Sequence, residues 1–424
     1  MEKSSLKNSN LNEAFDKKEV LFVDFITPDE VFGFSHADSR TIFNVLTYIS
    51  AMASKVTYLS YRSFGVTGKL IGFFWKYKNG AGKSRITGKD SRWLLTLIVY
   101  MILHTFSYID PSFKRNVRQK FSQYDVLIAG RPYFLGPIKS SLKNMDIKIL
   151  LYEHNIEKRF FDYLLKNFRP KLLRKILTGI IQRVERSAIR KAETVLTVSN
   201  IDRKTLISDY PNSRVFRLFP TVQILVPPIL NFNTLKIPDI VSNGLYEVTD
   251  NHINVMFLGS NYSLNVESVE NLIIASQSLG EINSKIHFFI IGDVGINFVG
   301  RKNTPTNFIF TGYVRDLELL LGKSDLFVFY DLMRTGFETK ALLYSSFQKR
   351  TILFTNSNDE YDDFFNGYLR KIRNTNEFVS EIKSIMEWID KHPGSSQFFN
   401  KTNARLKVSV AKNLSGGREV VVQK

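Results

Sequence analysis

The chain alternates short apolar runs with longer stretches in which apolar residues recur at helical spacing. Residues 20–26 (VLFVDFI) read as a buried strand, followed by a loop holding Pro28 and Gly33. A helix is predicted over residues 38–52, where Ile42, Val45, Leu46 and Ile49 share one face of a 3.6-residue period. Residues 55–60 (KVTYLS), 125–129 (DVLIA), 148–152 (KILLY) and 194–198 (TVLTV) have the β-branched character of further strands. Apolar runs separated by helices indicate a parallel sheet covered on both faces. In such Rossmann-like sheets ligands lie outside the carboxyl ends of the strands.

Residues 216–250 break this rhythm with Pro220, Pro227, Pro228 and Pro238 and the Asn243-Gly244 turn, and so read as an interdomain connection. A second series opens at 253–259 (INVMFLG), with strands expected at 286–291, 308–311, 326–330 (LFVFY) and 351–355 (TILFT) and a helix over 266–279. The predicted fold class is α/β, with two Rossmann-like lobes facing an interdomain cleft. Its parts are a mobile tail (1–18), a first domain (19–217), the connection (218–251), a second domain (252–391) and a C-terminal extension (392–424).

At 424 residues the chain exceeds the usual single-domain range, which agrees with two cores. It has no cysteine, which excludes disulfides, thiolate metal sites and cysteine nucleophiles, and fits a reducing compartment. The polar N-terminus lacks the apolar core of a secretory signal, so a cytoplasmic location is expected.

The net charge of +18 calls for an anionic partner. No zinc finger or aromatic RNA-binding signature accompanies it, so nucleic acid is not the expected partner. The most apolar run, residues 93–106 (WLLTLIVYMILHTF), is shorter than the roughly twenty residues of a membrane-crossing helix. A helix buried against the first sheet is the leading expectation for it. The alternative is contact with an anionic membrane surface, because residues 69–92 just before it interleave cations with Phe73, Phe74, Trp75 and Tyr77. That alternative makes the protein peripheral at the inner face of the membrane.

Several segments, in order, carry a family resemblance: YEHNIE at 152–157, RVERSAIRKAETVLTVS at 183–199, FLGSNYSLN at 257–265, NFIFTGYV at 307–314 and RTGFETK at 334–340. Together they resemble the GT-B glycosyltransferases, in particular the retaining family-four-like group 1 enzymes, over roughly residues 20–390. The resemblance implies an acceptor-side first domain and a nucleotide-sugar-binding second domain. It further implies transfer of a sugar from a nucleotide diphosphate sugar to a glycan or lipid-linked acceptor, with retention and with neither cofactor nor metal ion.

Residue by residue, it implies that Gly33, Gly259, Ser260, Tyr313, Val314, Arg334, Thr335, Gly336, Phe337, Thr339 and Lys340 bind the donor. His154 and Glu338 are the candidate catalytic residues. The physical logic is that glycines admit a ligand close to backbone, while a helix start, a hydroxyl and an ammonium suit a diphosphate.

The sequence also departs from the family. Leu343 stands where a ribose-gripping Glu is expected, Tyr344 replaces Ala, Gln348 replaces Gly and Arg350 replaces Pro. Losing a charged hydrogen bond costs on the order of 1.5–3 kcal/mol. A non-catalytic GT-B-shaped glycan-binding subunit that partners an active transferase is therefore the alternative reading. A sugar-nucleotide epimerase of the same shape also stays open.

Overall fold

The computed structural model describes residues 15–16, 18–24, 46, 49, 53–60, 108–166, 170–218, 235–249, 252–301, 303–331, 337–355, 360–365, 367–391 and 420–422. They fall into two compact units. Of the helix expected at 38–52, Leu46 and Ile49 are described, helical and buried. The apolar run at 93–106 lies outside the described residues, as do Gly33, Arg334, Thr335 and Gly336.

The first unit is built on strands β1 (Glu19–Asp24), β2 (Lys55–Ser60), β3 (Val126–Ala129), β4 (Lys148–Glu153), β5 (Thr194–Thr197) and β6 (Val215–Arg217). All pair in parallel, in the spatial order β2-β1-β3-β4-β5-β6. Helices α1 (Pro111–Phe121), α2 (Pro132–Ser141), α3 (Glu157–Leu164), α4 (Lys171–Lys191) and α5 (Asn200–Asp209) connect them.

Local chemistry sets the helix starts. The Asp110 carboxylate accepts the Ser112 N–H at 2.9 Å at the head of α1, and Ser199 Oγ accepts the Asp202 N–H at 2.9 Å at the head of α5. The long α4 turns Ile181, Glu185, Ala188 and Ile189 inward at spacings of four, three and one, which is one helical stripe.

Within the expected connection, residues 235–249 carry regular structure. Strands β7 (Leu235–Asp239) and β8 (Gly244–Val248) form an antiparallel hairpin around the predicted Asn243-Gly244 turn, with Pro238 opposite Leu245. A two-stranded ribbon tolerates Pro238 because its outward edge needs no N–H donor.

The second unit carries β9 (Ile253–Leu258), β10 (Ile286–Ile291), β11 (Phe308–Gly312), β12 (Leu326–Tyr330), β13 (Thr351–Phe354) and β14 (Leu369–Ile372). Its parallel order is β11-β10-β9-β12-β13-β14, the doubly wound arrangement of dinucleotide-binding sheets. The central strands are buried along nearly their whole length, which explains their continuous apolar runs.

The helices of this unit are α6 (Ser263–Gln277), α7 (Leu317–Gly322), α8 (Lys340–Ser346), α9 (Asp362–Phe365) and α10 (Thr375–Lys391). Helix α6 begins three residues earlier than its apolar pattern predicts. Past the expected extension boundary, β15 (Val420–Val422) pairs in parallel with β2 and completes a seven-stranded first sheet.

Candidate functional site

In the second unit the strand order reverses between β9 and β12, and a doubly wound sheet opens a crevice at the carboxyl ends of the strands there. Gly259 and Ser260 follow β9 directly. The Gly259 N–H donates to the Ile291 carbonyl at 2.9 Å, and the Gly259 carbonyl accepts the Val294 N–H at 3.3 Å. The Gly292 N–H donates to Gly312 at 2.8 Å, which ties the ends of β10 and β11 to the same patch.

Side chains are excluded at this crossing. A Cβ on Gly292, whose φ is +98°, would meet the Gly259 carbonyl oxygen at 2.4 Å. One on Gly259 would meet the Phe257 ring at 2.9 Å and Asn265 Cβ at 3.0 Å. Tyr313, one residue beyond β11, is 82% exposed, with Val314 half-buried beside it. An exposed ring next to a glycine crossing offers a stacking face.

Lys340, the first residue of α8, reaches this patch. Its ammonium donates to Asn265 Oδ1 at 2.9 Å and lies 4.9 Å from the centroid of the Phe257 ring. Asn265 Nδ2 in turn donates to the Ser260 carbonyl at 3.1 Å and to Ser260 Oγ at 3.3 Å. Segments far apart in sequence thus converge on one polar chain: Ser260, Asn265 and Lys340. Asn265 lies in the FLGSNYSLN motif, and its amide is the link between the other two.

Glu338 completes the group. Its carboxylate lies 3.4 Å from the Lys340 ammonium, and its backbone N–H donates to the buried Tyr361 hydroxyl at 3.3 Å. Thr339 and Phe337 are half-buried on either side. Of the expected donor-binding residues, Gly259, Ser260, Thr339 and Lys340 meet here with Glu338.

The departures along α8 have structural counterparts. Leu343 is buried, and Tyr344 is fully buried, stacked on Phe327 at 4.3 Å between centroids, with its hydroxyl accepting the Leu258 N–H at 2.7 Å. The larger ring thereby braces β9 one residue before Gly259. Gln348 adopts φ +51°, the left-handed conformation that the family's glycine adopts freely. Lys349 is buried and donates to the carbonyls of Gly322 and Ser324, both at 2.5 Å, which caps the end of α7. Burial lowers its ammonium to about 8. Arg350 pairs with Glu381, which also holds Arg370 at 3.3 Å.

In the first unit His154 is buried just beyond β4, its ring edge-on to Tyr152 with centroids 4.5 Å apart. The two first-unit motifs meet beside it. The Glu157 N–H donates to Glu185 Oε1 at 2.6 Å, while Glu157 accepts from the Tyr133 hydroxyl at 2.8 Å and pairs with Arg131 at 3.4 Å.

Glu153 lies in the same cluster, 1% exposed, with no hydrogen-bond partner for its carboxyl oxygens among the described residues. Desolvation first, then the charges of Glu185 and Glu157, raise it well above the ordinary carboxylate range. The same burial, aided by Glu157, pushes Glu185 up to about 8. Both carboxyls therefore hold their protons to higher pH than a carboxyl in water does. A charged residue type argues for the surface in sequence, so Glu153 gave no signal. Glu157 and Glu185 were visible only as motif letters.

Among the described residues, no group of three or more acidic or histidine side chains has the geometry to hold a metal ion. Nor is any helix long and apolar enough to cross a membrane.

Two parallel doubly wound sheets in successive units, with a polar cluster at the switch point of the second, define a two-lobe GT-B architecture. Residues 252–387, within the second unit, match the family model Glycosyl transferases group 1.

The fold is shared with sucrose-phosphate synthase from Thermosynechococcus elongatus, at 8% identity and TM-score 0.56, over 91% of this chain and 92% of that one. It is also shared with HepE of Anabaena in complex with UDP-glucose, at 13% identity and TM-score 0.51, over 88% and 91% of the two chains. The chain spans 55% of the length of TarM, at 14% identity and TM-score 0.47. No curated protein matches the sequence. The resemblance read from the ordered motifs is borne out.

Proposed function

We propose that the protein transfers a sugar from a nucleotide diphosphate sugar to a glycan or lipid-linked acceptor, with retention of configuration and without a metal ion. The observation that carries this reading is the Ser260–Asn265–Lys340 chain at the switch point of a group 1 domain. It offers a hydroxyl, an amide and an ammonium beside a backbone crossing that only glycine fits, a combination suited to a diphosphate. The UDP-glucose complex of HepE supports a nucleotide-sugar donor for this fold.

In the proposed reaction the bond between the anomeric carbon and the diphosphate oxygen breaks, and its electron pair stays on the diphosphate. The acceptor oxygen forms the new bond on the same face, and its proton passes to the departing diphosphate. Lys340 stabilises the charge that develops there. Tyr313 and Val314 border the base, and Gly33, Arg334, Thr335, Gly336, Phe337 and Thr339 are assigned to the donor by the family resemblance alone. His154 contacts the sugar, and Glu338 sets the charge state around Lys340.

A non-catalytic binding subunit is the second reading, favoured by the buried leucine at 343 in place of a carboxylate. Thermal unfolding against a panel of nucleotide sugars and free nucleoside diphosphates tests both. A shift with at least one nucleotide, together with its release during incubation with acceptor glycans, is expected. A shift without turnover supports the second reading, and no shift with any nucleotide overturns the first.

A further inference from the structure

Helix α4 is packed along its C-terminal two-thirds, but its first turns stand clear of the fold. Leu172, Ile176 and Leu173 are 69%, 51% and 39% exposed. At about 100° per residue they lie within an arc of roughly 100°. The stripe of Leu172 and Ile176 runs on past Gly179, where an added Cβ would meet nothing within 4 Å, to the exposed Arg183.

Cations border the arc. Lys171 and Lys175 are exposed, and neither enters an ion pair among the described residues. At the helix start Arg174 donates to the Lys166 carbonyl at 2.7 Å, while the Lys166 ammonium donates to the Tyr163 hydroxyl at 3.2 Å.

We propose that this end of α4 is the face on which the protein meets an anionic lipid surface. Apolar side chains ringed by lysines match a bilayer interface, where acyl chains take the leucines and headgroup phosphates the ammonium groups. A nucleic acid would satisfy the lysines but leave Leu172 and Ile176 in water. A second copy of the chain would need about 800 Å² per partner for a stable interface, which three side chains do not supply. The net charge of +18 favours the same polyanionic surface. The inference rests on the membrane-side acceptor in the proposed function and is independent of donor chemistry.

The test is co-sedimentation of the full chain with phosphatidylcholine vesicles, with and without one-third phosphatidylglycerol, near physiological salt. Binding to the anionic vesicles alone is expected. Leu172→Ser/Ile176→Ser and Lys171→Glu/Lys175→Glu should each lower the partition coefficient at least ~10-fold, since each surface cation contributes about a fivefold factor. Unfolding temperature and nucleotide binding should stay close to the parent's, because these side chains lie on the surface outside the core.

Anionic-vesicle binding that neither variant weakens would overturn the assignment to α4. No vesicle binding would overturn it together with the membrane-side reading, while leaving donor binding to its own assay. A concentration-dependent dimer abolished by Leu172→Ser/Ile176→Ser would overturn it in favour of self-association.

Discussion

The Glu338 carboxylate stands 3.4 Å from the Lys340 ammonium, the group proposed to meet a donor diphosphate. A diphosphate must compete with that carboxylate for Lys340. Two unit charges at this distance interact by about 1.2 kcal/mol in bulk water and about 5 kcal/mol at an effective dielectric of 20. The Glu338 side chain is 32% exposed and that of Lys340 11%, so screening brings the working figure to about 1–2 kcal/mol.

Glu338→Gln keeps the shape and removes the charge. It is expected to tighten nucleoside diphosphate binding about 5- to 30-fold in isothermal titration, with the gain shrinking as salt rises. Glu338→Lys should tighten it further, while affinity for the nucleoside without phosphates stays unchanged in both. Unchanged diphosphate affinity in Glu338→Gln would refute the competition. Weakened affinity would show instead that the carboxylate itself holds the donor, in the role that Leu343 cannot fill.

Three further outcomes follow from the described geometry. Gln348→Gly relieves a left-handed residue at a helix C-terminus and should stabilise the fold by about 1 kcal/mol, seen as a thermal transition about 2–4 °C higher. Glu153 and Glu185 bind protons in the folded state at pH values where the unfolded chain has released them. Stability therefore falls as pH rises from the ordinary carboxylate range, up to about 8 for Glu185. Glu153→Gln, which needs no proton to stay neutral, should flatten that decline and raise the melting temperature above the parent's at pH 8, with little change at pH 4. His154→Ala should leave nucleoside diphosphate affinity within about twofold and lower kcat for transfer at least ~10-fold, because the role proposed for it is toward the sugar and not the phosphates.

The expected strands coincide with observed ones wherever the strand is buried on both faces, because a run such as LFVFY at 326–330 has no other stable place. Strands of mixed polarity gave no such signal. In LRKI at 369–372 only Ile372 is buried, and β6 has only three residues. The hairpin at 235–248 is masked in the sequence because Pro238 argues against a strand, and it does so only for a central one.

At the candidate site, Gly259, Ser260 and Lys340 were legible as motif letters, yet the amide of Asn265 that joins them depends on a helix and a strand end meeting. The buried carboxyls of Glu153 and Glu185 were hidden for a related reason. A residue type reports its charge in water, whereas burial with like-charged neighbours decides whether it keeps it. Gln348 shows the converse, since a residue type that disfavours the left-handed backbone nonetheless adopts it here.

The central claim is that the switch point of the second unit holds a nucleotide diphosphate sugar. Amide hydrogen exchange of the full chain, with and without a saturating nucleotide sugar, reads this site directly. Slowed exchange is predicted in 258–266, 311–315 and 337–344, and absent from the same segments in Lys340→Ala at the same ligand concentration. Protection confined to other segments, or equal protection in Lys340→Ala, would contradict the account.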